Sequence, residues 1–313
     1  MDKNNVSINH VREPLFHIAK RDRIAKPKAY AIRTVAILLS LIVSAIVIVC
    51  ITGLNPLDVY VSMFKGAFGS NRRIWITIRD TMVLLCISVA LAPAFKMKFW
   101  NIGAEGQVLV GGIVTAGIMI YFGEALPTPL LLVIMLGSSI VVGAIWGLVP
   151  AVFKAYFNTN ETLFTLMMNY VAIQFTSFFV AKWENPFGSN SVGIINSRTK
   201  SGWFPAIAGQ QYLLNVIVVA IITIGIYFYM RKSKQGYEIS VVGESENTAK
   251  YAGINVKWVI IRTMVISGAL CGLAGFIAVS GVDHTISTGT AGGRGFTAII
   301  VAWMSKFNAF VML

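Results

Sequence analysis

The chain has 313 residues, 56% of them apolar and only 12% charged, with 26 Lys and Arg against 13 Asp and Glu. Soluble chains carry about twice that charge, and a soluble fold of this size could not hide so much apolar surface, so the solvent that fits is a bilayer. A formal charge of +13 then reports membrane topology rather than affinity for nucleic acid, and none is expected as a partner.

The first 33 residues hold eight Lys and Arg and no small-residue cleavage site, which reads as an uncleaved basic cytoplasmic tail (1–33) ahead of a membrane domain (34–313). Seven apolar runs follow, at about Thr34–Gly53, Ile74–Phe95, Ile102–Gly123, Pro129–Phe153, Thr162–Ala181, Tyr212–Met230 and Thr263–Val282. Each is long enough, as a helix, to cross ~30 Å of hydrocarbon. An eighth is expected to begin near Gly295 and is still apolar at Leu313. With the N-terminus inside, 17 basic residues fall in cytoplasmic segments and 7 outside, which supports a multi-pass protein with a cytoplasmic N-terminus. The expected fold is an all-α polytopic transmembrane bundle.

Arg79 and Asp80, inside the second run, are expected to leave different helix faces rather than pair. The link Phe99-Trp-Asn-Ile-Gly-Ala-Glu-Gly-Gln107 sets glycines on both sides of Glu105, so the backbone can turn there. Asn101, Glu105 and Gln107 then line a solute pathway or sit in an interfacial turn. Gly143 and Gly147, and later Gly268, Gly272 and Gly275, recur at helical spacing, a pattern that lets helices approach closely in lipid. Asn169 and Gln174 line a polar cavity or cross-link helices. Between Arg231 and Arg262 runs a long cytoplasmic loop, in which Ser245 can cap a helix of one or two turns, Glu246–Ala252, and Gly253 can end it. Ala249 and Tyr251 would be presented by that helix. It either docks into a partner's groove or is an ordinary solvated loop. Gly289–Thr297 is glycine-rich and lies outside or re-enters the membrane.

Catalytic constellations are lacking. Cys50, Cys86 and Cys271 are scattered, as are His10, His17 and His284, and there is no metal-ligand spacing and no phosphate-binding loop. An ion-driven carrier is the alternative to a protein powered by a partner, but it needs paired buried carboxylates, and only Asp80 and Glu105 are eligible.

Asn-Ile-Gly-Ala-Glu-Gly-Gln (101–107) and Gly-Tyr-Glu-Ile…Val-Gly-Glu-Ser-Glu-Asn-Thr-Ala-Lys-Tyr-Ala-Gly-Ile-Asn (236–255) resemble motifs of the permease subunits of bacterial ABC importers for simple sugars and nucleosides, the branched-chain amino acid/ribose-type permeases. Asn160–Tyr170 and Gly293–Ala298 are similar to the nucleoside-type branch. The resemblance covers roughly residues 34–313. It implies a protein of the bacterial inner membrane, with a second permease subunit, identical or paralogous, a cytoplasmic ATPase subunit that binds ATP, an extracellular binding protein or lipoprotein, and surrounding lipid as partners. No cofactor and no catalytic or metal residue is expected in the chain itself. The resemblance places ATPase coupling at Glu244, Asn247, Ala249, Tyr251 and Gly253, within a coupling loop 231–262, and a solute pathway at Asn101, Glu105, Gln107 and Asn169. Such permeases usually continue past this point, so a truncated C-terminus is the expectation.

Overall fold

The computed structural model describes residues 26–312, so most of the basic tail, with His10 and His17, lies outside the described residues. Among those described the chain is helical, with one isolated bridge, Ile207 to Gln210, as its nearest approach to a sheet. Seven helices are long and apolar enough to cross a membrane. The chain divides into two units, residues 1–66 and 67–313.

In the first unit, α1 (Lys26–Thr52) is apolar and exposed along its length, which suits lipid contact. It begins eight residues ahead of the expected start of the first run. A short helix, α2 (Pro56–Phe68), starts at a proline, which costs nothing where the N–H would have no helical partner. The Tyr60 hydroxyl donates to the Leu41 carbonyl at 2.7 Å.

The second unit holds α3 (Asn71–Lys96), α4 (Ala104–Phe122), α5 (Thr128–Phe157), α6 (Glu161–Lys182), α7 (Leu213–Lys232), α8 (Lys234–Glu244), α9 (Glu246–Tyr251), α10 (Val256–Ala278) and α11 (Arg294–Met304). Side-chain caps explain many of the starts. Ser70, Asn160, Ser233, Ser245 and Asn255 each accept a backbone N–H from the first turn of α3, α6, α8, α9 and α10.

Helix α10 is the centre of this unit and packs against α3, α4 and α5. The small-residue pattern explains how. A Cβ at Gly143 would strike the Gly268 carbonyl, one at Gly268 would strike the Gly143 carbonyl, and one at Gly272 would strike the Ser139 carbonyl. On the other side of α10, Gly275 lies on the Val108 carbonyl of α4. Backbone packs on backbone, which replaces the hydrophobic drive that lipid cannot supply. A five-residue π-helical segment, Val279–Asp283, extends α10, and Asn215 of α7 donates to its Gly281 carbonyl at 3.1 Å. Above it the 183–212 loop folds inward. Trp203 stacks on His284 at 3.7 Å between ring centres and donates its indole N–H to the Ile195 carbonyl.

Three expectations change. The last apolar run starts as a helix at Arg294, close to the expected Gly295, but it does not stay helical to Leu313: α11 has 11 residues, about 17 Å, and is followed by Lys306 and Phe307 at positive φ. Arg79 and Asp80 do pair, because the long guanidinium folds back over the adjacent carboxylate, with Nη2 to Oδ1 at 2.9 Å. The loop 231–262 is more ordered than one or two turns, since α8 precedes the short helix.

Candidate functional site: a broken-helix junction and an exposed elbow

Helix α3 stops at Lys96, and seven residues of irregular backbone (97–103) lead to α4. Much of this backbone is buried between two spans, and its polar groups must be satisfied by protein. The sequence supplies the partners. Thr165 Oγ1 accepts the Ile102 N–H at 3.2 Å, Asn169 Nδ2 donates to the Ile102 carbonyl at 2.9 Å, and Asn169 Oδ1 accepts the Gly106 N–H at 2.8 Å. Asn101 Oδ1 accepts the Gly103 N–H at 3.0 Å. Its amide nitrogen faces Gln107 Oε1 at 3.3 Å and Ser267 Oγ at 3.4 Å. Asn101, Gln107 and Asn169 are buried, with their polar atoms turned onto the fold itself.

Glu105 sits in the first turn of α4 and is 7% exposed. Its two oxygens accept the N–H groups of Gly293 and Gly295, each at 2.7 Å. These amides open α11. One carboxylate therefore lies at the positive ends of two helices, its own and α11, and supplies the charge both favour. Gly293 takes the left-handed φ of +72° that starts the helix, and a Cβ at Gly295 would run into the Glu105 backbone. The break lies ahead of Glu105, not around it; Gly106 is inside α4, with Asn169 against it. Aromatic stacking joins the same elements further along: Trp100 on Trp303 at 5.2 Å and Phe95 on Phe307 at 6.1 Å.

The second candidate is the elbow formed by α8 and α9. Ser245 Oγ accepts the Thr248 N–H at 3.2 Å, and Gly253 follows the helix with φ +73°, as the sequence predicts. Glu244, Asn247, Tyr251 and Gly253 are exposed, Tyr251 at 94%. Ala249, expected on the presented face, is instead fully buried, because α9 needs one small residue against the body of the protein. Arg262 of α10 and Glu238 of α8 pair at 2.9 Å with both side chains largely covered. At its far end α8 rests on the C-terminus of α3: a Cβ at Gly243 would strike the Lys96 carbonyl. A cavity of about 210 Å³ separates the elbow from the break and is lined by Lys98, Phe99, Lys154, Glu161, Glu244 and Ser245 among others. The elbow thus touches the start of the segment that carries Asn101 and Glu105. Sequence reasoning missed Thr165, Gly243 and Gly295. The helical spacing of Thr165 and Asn169, i and i+4, was the signal for the first.

Crossing helices, irregular backbone sheltered inside protein, and a half-length helix whose N-terminus is held by a buried carboxylate define a polytopic membrane transport protein. Residues 74–310 match the family described as the branched-chain amino acid transport system permease component, and the chain belongs to that family. It is 31% identical over 278 residues to the guanosine ABC transporter permease protein NupP of Bacillus subtilis, covering 88% of this chain and 79% of that one. It is 27% identical over 288 residues to the nucleoside ABC transporter permease protein NupB of Lactococcus lactis, covering 88% and 78%. Against the glucose ABC transporter permease protein TsgB13 of Haloferax volcanii the identity is 26% over 294 residues, covering 90% and 76%. No solved structure matches the chain significantly.

Proposed function

We propose that this chain is the membrane-spanning subunit of an ATP-driven importer of nucleosides, seated in the bacterial inner membrane with its N-terminus in the cytoplasm. In this reading 1–33 is the tail, 34–313 the membrane domain and 231–262 the coupling loop. A separate ATPase grips the elbow, a second permease subunit completes the pathway, and an extracellular binding protein delivers solute. The observation that carries the reading is the seat of Gly243 on the Lys96 carbonyl, which ties an exposed cytoplasmic elbow to the break that holds α4 and α11. Nucleosides are preferred because the relatives named for guanosine and nucleosides are 31% and 27% identical, against 26% for the glucose relative.

The mechanism follows from these contacts. The ATPase binds the exposed Glu244, Asn247 and Tyr251, while the buried Ala249 and the Arg262–Glu238 pair seat the elbow on the body of the protein, the pair joining α8 to α10. Displacing α8 loads residues 97–103. The load reaches Asn101 and Glu105 and shifts α11 against α4. Asn101, Gln107 and Asn169 hold the junction in register beside the pathway, which explains why their polar atoms are spent on the fold.

An ion-driven mechanism is disfavoured by the same geometry. Glu105 is committed to two backbone N–H groups and Asp80 is paired with guanidiniums rather than with a second carboxylate. The test is uptake of labelled guanosine by cells carrying the complete transporter, with and without this chain. Uptake that needs both this chain and ATP supports the reading. Uptake that persists without the chain, or that follows an ion gradient after ATP depletion, overturns it.

A further inference from the structure

Charged and hydroxyl side chains collect on one open face of α3 and the start of α11. Thr77, Asp80, Thr81 and Leu84 recur at three- and four-residue spacing, so they share a face of α3. Arg294 and Thr297 come from the first turn of α11. Together these six residues line a cleft of about 330 Å³. Asp80 Oδ1 lies 2.9 Å from Arg79 Nη2 and 3.5 Å from Arg294 Nη2. The Asp80 side chain is 42% exposed, and Thr81 and Thr297 are exposed.

Depth makes this unusual. Asp80 follows Ile74, the first apolar residue of the span, by six positions, about 9 Å at 1.5 Å per residue. Arg79 has the reach to snorkel over such a distance; a carboxylate on one methylene does not. An open carboxylate–guanidinium pair at that depth is costly against hydrocarbon and characteristic of a water-filled route. Glu105 adds to the argument from behind: by holding Gly293 and Gly295 it sets the start of α11, and so Arg294, at this level.

We propose that the Asp80–Arg294 cleft is a wall of the solute route and that these two side chains contact the solute. The chemistry they suit is an uncharged polyhydroxylated molecule such as the sugar of a nucleoside. Adjacent hydroxyls donate to the Asp80 carboxylate and accept from the Arg294 guanidinium, with Thr81 and Thr297 as further partners. This deepens the importer reading and rests on it.

The test uses the complete transporter in intact cells, in a Cys50→Ser background so that the remaining native cysteines, Cys86 and Cys271, are buried. Thr81→Cys and Thr297→Cys are probed with a membrane-impermeant sulfonated thiol reagent. Both should be modified, and guanosine should slow modification several-fold. Separately, the exchange Asp80→Arg with Arg294→Asp should leave the subunit at normal yield with its ATPase while uptake falls at least 10-fold. Failure of both cysteines to react in the assembled transporter overturns the proposal. So does near-normal uptake by the exchanged pair, which would make the two charges an internal tie. If the unmodified transporter carries no guanosine, the earlier reading fails, while labelling still decides whether water lines the cleft.

Discussion

The α5–α10 seam and the α4–α11 junction hold helices together by opposite means. In the seam, Gly143, Gly268 and Gly272 bring backbone onto backbone. At the junction, a carboxylate and several amides hold broken backbone in place through a handful of directed bonds. Close packing has one good arrangement and resists displacement. A few hydrogen bonds can be exchanged for others. In the proposed importer the seam would serve as the frame and the junction as the part that shifts when access alternates.

The largest effect that separates the two should come from the frame. Gly268→Leu places four carbons where a carbonyl of α5 now lies, and the helices must part; the cost should exceed the ~1–3 kcal/mol of ordinary overpacking. Membrane-inserted, detergent-stable protein should all but vanish, as size-exclusion of the solubilised subunit would reveal. Gly243→Val should act more mildly, at about 1–3 kcal/mol, because α8 can lift from the Lys96 carbonyl while α10 stays in place. The transporter should assemble, and uptake per ATP hydrolysed should fall several-fold. Tyr251→Ala, at a side chain 94% exposed, should change subunit stability by no more than about 0.5 kcal/mol yet weaken retention of the ATPase during purification. Unaltered retention would remove Tyr251 from the docking surface.

What the sequence made legible was what depends on local pattern. Seven spans follow from apolar run length, and the close crossings from glycines at helical spacing. The cap of Ser245 and the left-handed Gly253 follow from side-chain chemistry within a few residues. What it hid was long-range or ambiguous. Glu105 meets Gly293 across 188 residues, and nothing near Glu105 names that partner. Helix α8 was concealed because Gly236 and Gly243 read as loop residues; each is there for close approach, Gly236 to the Met230 carbonyl and Gly243 to that of Lys96. The end of α11 was written in Ser305, Lys306 and Asn308, polar residues directly after Met304, but Phe307 and the apolar residues from Ala309 onward masked that break. Asn101 and Asn169 were legible as important polar residues, but the sequence could not distinguish facing solute from securing backbone.

In the proposed mechanism Glu105 clamps α11 to α4 and the elbow works through this clamp. Glu105→Gln tests it most directly, because the amide keeps an acceptor for one of the two N–H groups, sets a donor against the other and removes the charge. Uptake and ATP hydrolysis should be measured together on the reconstituted transporter. Assembly should be normal, hydrolysis should continue and uptake should fall at least 10-fold. Uptake and hydrolysis both at the unsubstituted level would contradict the proposed clamp.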